Sequence, residues 1–207
     1  MINIGFNLGR VNPDYFELCS SHVIVVEETS KKGEAELTCT FQEGKEYIRL
    51  LKEHDHILTY CMNRKCADGI IIELDPADQS QARVHIIELK KSMGSRTWEK
   101  VKEQFYGASL RALAFASSVG IHRILSIHYY TGYVDDDEMK KSIETTRMQS
   151  EITGTIARKV RTAINPEELK EWQLDTVKVF EDHEGFSHLR VLLHDVDGKN
   201  TGTLAIV

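Results

Sequence analysis

CADGIIIEL, residues 66–74, the polar segment DPADQSQ, residues 75–81, and RVHIIELKKS, residues 83–92, form the stretch on which the fold turns. Two apolar runs, 70–74 and 84–89, flank a segment that contains Pro76 and has no helical period, which predicts an antiparallel hairpin. With Asp78 or Gln79 at the turn, Asp68 at the start of the first strand lies across from the 88–90 end of the second. Side chains alternate along a strand, so Glu88 and Lys90 point to one side and Leu89 to the other. Two carboxylates and a lysine thus converge at one end of a largely buried hairpin. Burying such charge costs several kcal/mol unless the groups are paired or hold a metal, so the cluster asks for an explanation.

Around this hairpin the chain has 207 residues, 41% hydrophobic and 28% charged, enough for one core with small extensions. A single domain over 1–207 is expected, with a core at about 41–130, an N-terminal β extension at 1–40 and a C-terminal helical and hairpin extension at 135–207. No stretch approaches the roughly 18 apolar residues of a membrane span. Residues 1–12 lack the basic and apolar regions of a signal peptide, so a cytoplasmic protein without a membrane partner is expected. Cys19, Cys39, Cys61 and Cys66 have no CxxC spacing and read as ordinary buried thiols. A formal charge of −6 argues against coating nucleic acid by bulk electrostatics; such a partner needs a local basic patch or a second subunit.

Upstream of the hairpin, residues 22–28 and 35–41 read as a first pair of strands. Residues 42–54 place Tyr47, Ile48, Leu50 and Leu51 at helical spacing, which predicts a helix carrying Glu43, Glu46 and Glu53. A strand at 57–62 and a polar turn with Arg64 and Lys65 come next. Downstream, Ser95 or Thr97 caps a long helix to about Ser118, whose face of Val101, Phe105, Ala108, Leu113 and Ala116 packs on the sheet. Gly120 ends it, and 123–130 returns as a strand. The core order is α-β-β-β-α-β, a mixed α/β (α+β) sheet. The run Asp135, Asp136, Asp137, Glu138 reads as a helix start rather than a metal site. A second helical piece at 151–164, a fresh start at Pro166 and strands at 176–181, 188–194 and 201–206 complete the chain, the last two joined across Asp197-Gly198.

The tripeptide E-x-K occurs at Glu43, Glu88, Glu138 and Glu168, and only Glu88-Leu89-Lys90 ends an apolar strand whose partner begins with an aspartate. Here the chain resembles the PD-(D/E)xK nuclease superfamily, with its restriction-endonuclease-like core, over roughly 41–130. Asp68 matches the motif aspartate, Glu88 the second acid and Lys90 the lysine, while Ala67 stands in the proline position. The resemblance implies an added glutamate from the first core helix, Glu46 with Glu43 behind it. It also points to Gln104 as the glutamine of a Q-x-x-x-Y motif, although Ala108 occupies the tyrosine position.

The activity implied by this resemblance is hydrolysis of phosphodiesters in DNA, with RNA as the alternative, using Mg²⁺ for which Mn²⁺ substitutes. Asp68, Glu88 and the Leu89 carbonyl would hold the metal, a donor set of hard oxygens suited to it. Lys90 would position water or stabilise developing charge. Lys91, Arg96, Gln104, Arg64 and Lys65 are the expected substrate contacts, with Lys100 and Lys102 either beside them or on a solvated helix face. Trp98 reads as a core or edge residue. Members of this superfamily serve restriction, repair and anti-phage systems, as homodimers or with a partner subunit. The competing reading is a non-catalytic module that keeps the fold to bind nucleic acid or protein. His183, His188 and His194 read as edge-strand residues, and 195–200 as a turn rather than a calcium loop.

Overall fold

The computed structural model describes residues 7–30, 33–51, 65–152, 166–183 and 185–206. Residues 69–92 form the predicted hairpin, with strand β5 (Gly69–Leu74) antiparallel to β6 (Gln81–Ser92) and Asp78 near the turn's apex. Asp75 and Asp78 build that turn by accepting backbone N–H groups of Ala77 and Ser80 on their carboxylates. Both strands are central in a seven-stranded sheet: β1 (Phe16–Cys19), β4 (Tyr47–Leu50), β5, β6, β7 (Arg123–Asp135), β9 (Phe186–Leu192), β8 (Thr176–Val177). Pairings from β1 to β6 are antiparallel, whereas β6, β7 and β9 run parallel.

Each face of this sheet is covered, which is why the strands read as near-continuous apolar runs. On one face, Ile70, Ile72, Val84 and Ile86 pack under helix α1 (Ser95–Val119) through Trp98, Val101, Phe105, Ala108 and Ala112. The other face, with Ile71, Ile87 and Leu89, packs against Val26, Leu37 and Cys39 of a second sheet. That sheet has the order β10 (His194–Val196), β11 (Lys199–Ala205), β3 (Gly33–Thr40), β2 (Val23–Ser30). The two terminal extensions therefore meet, because β11 pairs in parallel with β3. Helices α2 (Asp137–Ile152) and α3 (Pro166–Gln173) follow later in the chain.

The helix predicted over 42–54 is not formed in its described part; Tyr47–Leu50 is strand β4, paired to β5 with Tyr47 opposite Glu73 and Leu50 opposite Ile70. Tyr47 packs toward the second sheet and Ile48 toward α1, so a strand buried on both faces imitated helical spacing over a few residues. The predicted strand 57–62 and most of the piece 151–164 lie outside the described residues. The long helix matches its predicted span, but Gly94 rather than Ser95 or Thr97 is the N-cap, without a side-chain cap. Gly94 lies against the Glu138 side chain of α2. Gly120, at φ 88°, closes the helix, and Ile121 N–H returns to the Ala116 carbonyl. The next strand, β7, runs on to Asp135, five residues past its expected end.

Candidate active site at the end of the hairpin

The hairpin register places Gly69 opposite Ile87, and hence Asp68 level with Glu88 just beyond the paired residues. Asp68 is buried at 7% exposure and Glu88 at 0%. Asp68 Oδ2 accepts the Leu89 backbone N–H at 2.8 Å, which ties the start of β5 to the motif strand. Lys90 Nζ forms an ion pair with Glu88 Oε1 and donates to the Leu89 carbonyl at 3.2 Å. Leu89 itself turns to the opposite face and packs among the residues between the sheets. Strand alternation thus sets Lys90 on Glu88, with Asp68 level with Glu88 and tied to the Leu89 amide between them.

The donor chemistry fits a hard divalent cation. A fully buried carboxylate and a backbone carbonyl already surround one cationic group, the Lys90 ammonium, with the Asp68 carboxylate tied to the intervening amide. The cluster divides two openings. Asp68 lines an apolar pocket of about 250 Å³ with Leu50, Cys66 and Phe115, into which the buried Arg111 of α1 also reaches. Lys90 lines a second, of about 350 Å³, with Lys91, Ser92, Thr97 and Lys100 on one wall and Glu28, Glu34 and Asn200 of the second sheet on the other.

The remaining expected site residues divide. Lys91 and Arg96 are exposed beside the motif, and Lys100 lines the Lys90 pocket. Lys65 is half-exposed and ion-paired with Glu103 of α1. Arg64 lies outside the described residues. Gln104 points to the chain rather than outward: its Nε2 donates to the Cys66 carbonyl at 3.4 Å, two residues before Asp68. Lys102 clasps α1 to α3 through Glu171 at 3.0 Å and Glu168 at 3.4 Å. Glu46 is not at the site. Its carboxylate accepts from Gln79 Nε2 at 2.8 Å and its carbonyl from Leu74 N–H, both at the turn end of the hairpin. Six residues of strand, about 20 Å, separate that end from Asp68. Glu43 lies on the exposed turn just before it. The reason is the replaced helix: a strand in antiparallel register carries its preceding glutamates away from Asp68.

Trp98 and the acidic run before α2 behave as the composition of their segments suggested. Trp98 is fully buried, donating from Nε1 to Glu171. Asp135 Oδ1 accepts the Asp137 N–H at 2.8 Å and Asp136 pairs with Lys140, as expected of a helix start. His188 differs. It is 1% exposed, ringed by Trp98, Phe105 and Trp172, with Nε2 at 2.9 Å from Thr131 Oγ1. Burial, helped by the Arg190 charge and opposed by Asp175, pushes its pKa down to about 3.

A second polar cluster is one that the sequence pattern did not reveal. Glu73, 4% exposed, is held by Lys45 at 2.7 Å, Arg83 at 3.0 Å and His85 Nε2 at 3.3 Å. Burial alone would raise its pKa, but hydrogen bonds and charges of His85 and Lys45 bring it down to about 2. An ionised Glu73 accepts only, so His85 Nε2 carries the proton toward it, and Nδ1 lies 3.1 Å from the Tyr130 hydroxyl. The available signal was a glutamate and a histidine interrupting the apolar runs, opposite in pleat to Glu88.

Compared with protein-family models, curated proteins and solved structures, the chain matches none.

Proposed function

We propose that the chain is a metal-dependent nuclease of the PD-(D/E)xK type, hydrolysing phosphodiesters in DNA. The observation that carries this is the juxtaposition of two buried acids, Asp68 and Glu88, with Lys90 gathered on Glu88 and the Leu89 carbonyl. A purely structural hairpin end has no need to bury both carboxylates. An antiparallel β5–β6 pair, followed by α1 and a parallel β7, supports the restriction-endonuclease-like reading of the core.

In this reading Asp68, Glu88 and the Leu89 carbonyl hold Mg²⁺, which when bound supplies Lewis-acid polarisation of the phosphodiester and a water of lowered pKa. Lys90, released from Glu88, places its ammonium against a phosphate oxygen or the attacking water. Lys91, Arg96 and Lys100 grip flanking phosphates along the cleft. With a net charge of −6, a second copy or a partner subunit supplies further basic surface.

One observation favours the alternative, a nucleic-acid or protein-binding module: Asp68 and Lys90 open onto different pockets. Incubation with plasmid, single-stranded DNA and RNA in Mg²⁺ or Mn²⁺ separates the two. The nuclease reading expects metal-dependent cleavage that falls about a hundredfold or more in Asp68→Ala and Lys90→Ala. Cleavage that both variants retain, or none together with no metal-induced rise in melting temperature, leaves the binding module.

A further inference from the structure

Away from Asp68, the large sheet opens on its other face into a pocket of about 700 Å³, lined by Lys45, Glu73, Arg83, His85, Ser126 and His128. Arg83 precedes Glu88 by five residues, so the two sites are about 16 Å apart along β6 and on opposite pleats.

Charge decides what such a pocket takes. The ionised Glu73 faces two permanent cations, Lys45 Nζ and Arg83 Nη1, and a carboxylate needs only one for neutrality. Lys45 commits one of three donors to Glu73, and Arg83 one of five. Ser126 Oγ and His128 Nε2, 2.8 Å apart on β7, add further polar atoms, and the His128 ring stacks on His85 with centroids 5.5 Å apart. Positive charge therefore exceeds negative in a concave site with partly apolar walls, where potentials are focused. Leu189, Ala205 and Ile206 form the apolar side.

We propose that this pocket binds a small phosphate-bearing solute, its phosphate against Lys45, Arg83 and His128 and any sugar or base over Leu189, Ala205 and Ile206. An ammonium and a guanidinium side by side suit a tetrahedral dianion, and the volume admits a nucleotide. Binding is linked to protonation. His128 is held toward its neutral form by burial, then by His85 and Arg83, with Glu73 opposing. A dianion reverses that balance, so binding draws a proton onto His128 and raises its pKa in the complex. Lys45 before β4, Glu73 on β5, Arg83 and His85 on β6 and Tyr130 on β7 are the other charged or titratable groups lining the pocket among the described residues; β9 and β11 present apolar residues there.

Calorimetry of the whole chain with inorganic phosphate and, separately, with AMP tests this. The expected result is saturable binding with Kd below about 1 mM for AMP, weakened about tenfold in Arg83→Gln and in Lys45→Gln, with the His128 pKa raised in the complex. Equal affinity for inorganic phosphate assigns the site to the free oxyanion; tighter AMP assigns it to nucleotides. No saturable binding of either, or affinities that both substitutions leave unchanged, overturns the proposal. Should either variant unfold, NMR titration of His128 in the unsubstituted protein decides. A pKa raised by the ligand supports the site, and an unmoved one overturns it.

Discussion

The Lys90 ammonium touches two of the three oxygens proposed to hold Mg²⁺, so a cation of some kind is built into the motif. Lys90→Met removes the counter-charge of a fully buried carboxylate and is expected to cost about 3–5 kcal/mol in EDTA. Mg²⁺ or Mn²⁺ should restore more stability to this variant than it adds to the unsubstituted protein, as read from denaturant melts with and without metal. Equal responses would detach Glu88 from metal binding. His188 makes a prediction of opposite character. Its folded pKa, near 3, lies below the ordinary value of 6.5, so between these limits the unfolded chain binds more protons. Stability is full above about pH 6.5 and falls by up to about 1.4 kcal/mol per pH unit below it. His188→Phe should flatten that acid limb in melts between about pH 7 and pH 4. Asp68, Glu88 and Lys90 were legible because strand alternation alone sets their side. Neither the aromatic cage of His188 nor the partners of Glu73 were, since each is drawn from several elements distant in sequence.

At the scale of elements, α1 fixes the approach to the motif. A Cβ on Gly107 would run into the Lys65 carbonyl, while three residues earlier Gln104 holds the Cys66 carbonyl. Gly107→Ala is expected to destabilise by about 1–3 kcal/mol through overpacking, despite the better helix propensity of alanine. Because the displaced backbone leads into Asp68, metal-dependent stabilisation should weaken as well. A denaturant series in Mg²⁺ and in EDTA measures both, and a more stable variant would show that this contact is slack. The helix and its glycine stop could be read from period and punctuation. Strand β4 could not, because a four-residue strand with Tyr47 and Ile48 buried on opposite faces carries no period of its own, and with β4 went the assignment of Glu46.

For the whole molecule, the decisive arrangement is one large sheet covered by helix on one face and by a second sheet on the other. Sequence pattern marked the hairpin β2–β3 and the turn at Asp197-Gly198, but the strand expected over 188–194 is mostly β9 of the large sheet, and only the short β10 pairs with β11 across that turn. This division and the parallel union of β11 with β3 were not legible, because partner choice between distant strands leaves no local mark. Removing residues 194–206 should open the edge of β3 and uncover Leu37 and Leu193, which lie against Gly202 of β11, giving a product that binds a hydrophobic dye and elutes as aggregate. A monomeric, dye-silent product would contradict this. The same union governs assembly in time. Strand β11 pairs residues 200–205 with a strand that left the ribosome some 165 residues earlier, so β3 waits with one edge open until β11 is made. Folding of this sheet should therefore be slow and completed by β11, since distant pairing must meet its loop-closure entropy before any contact repays it.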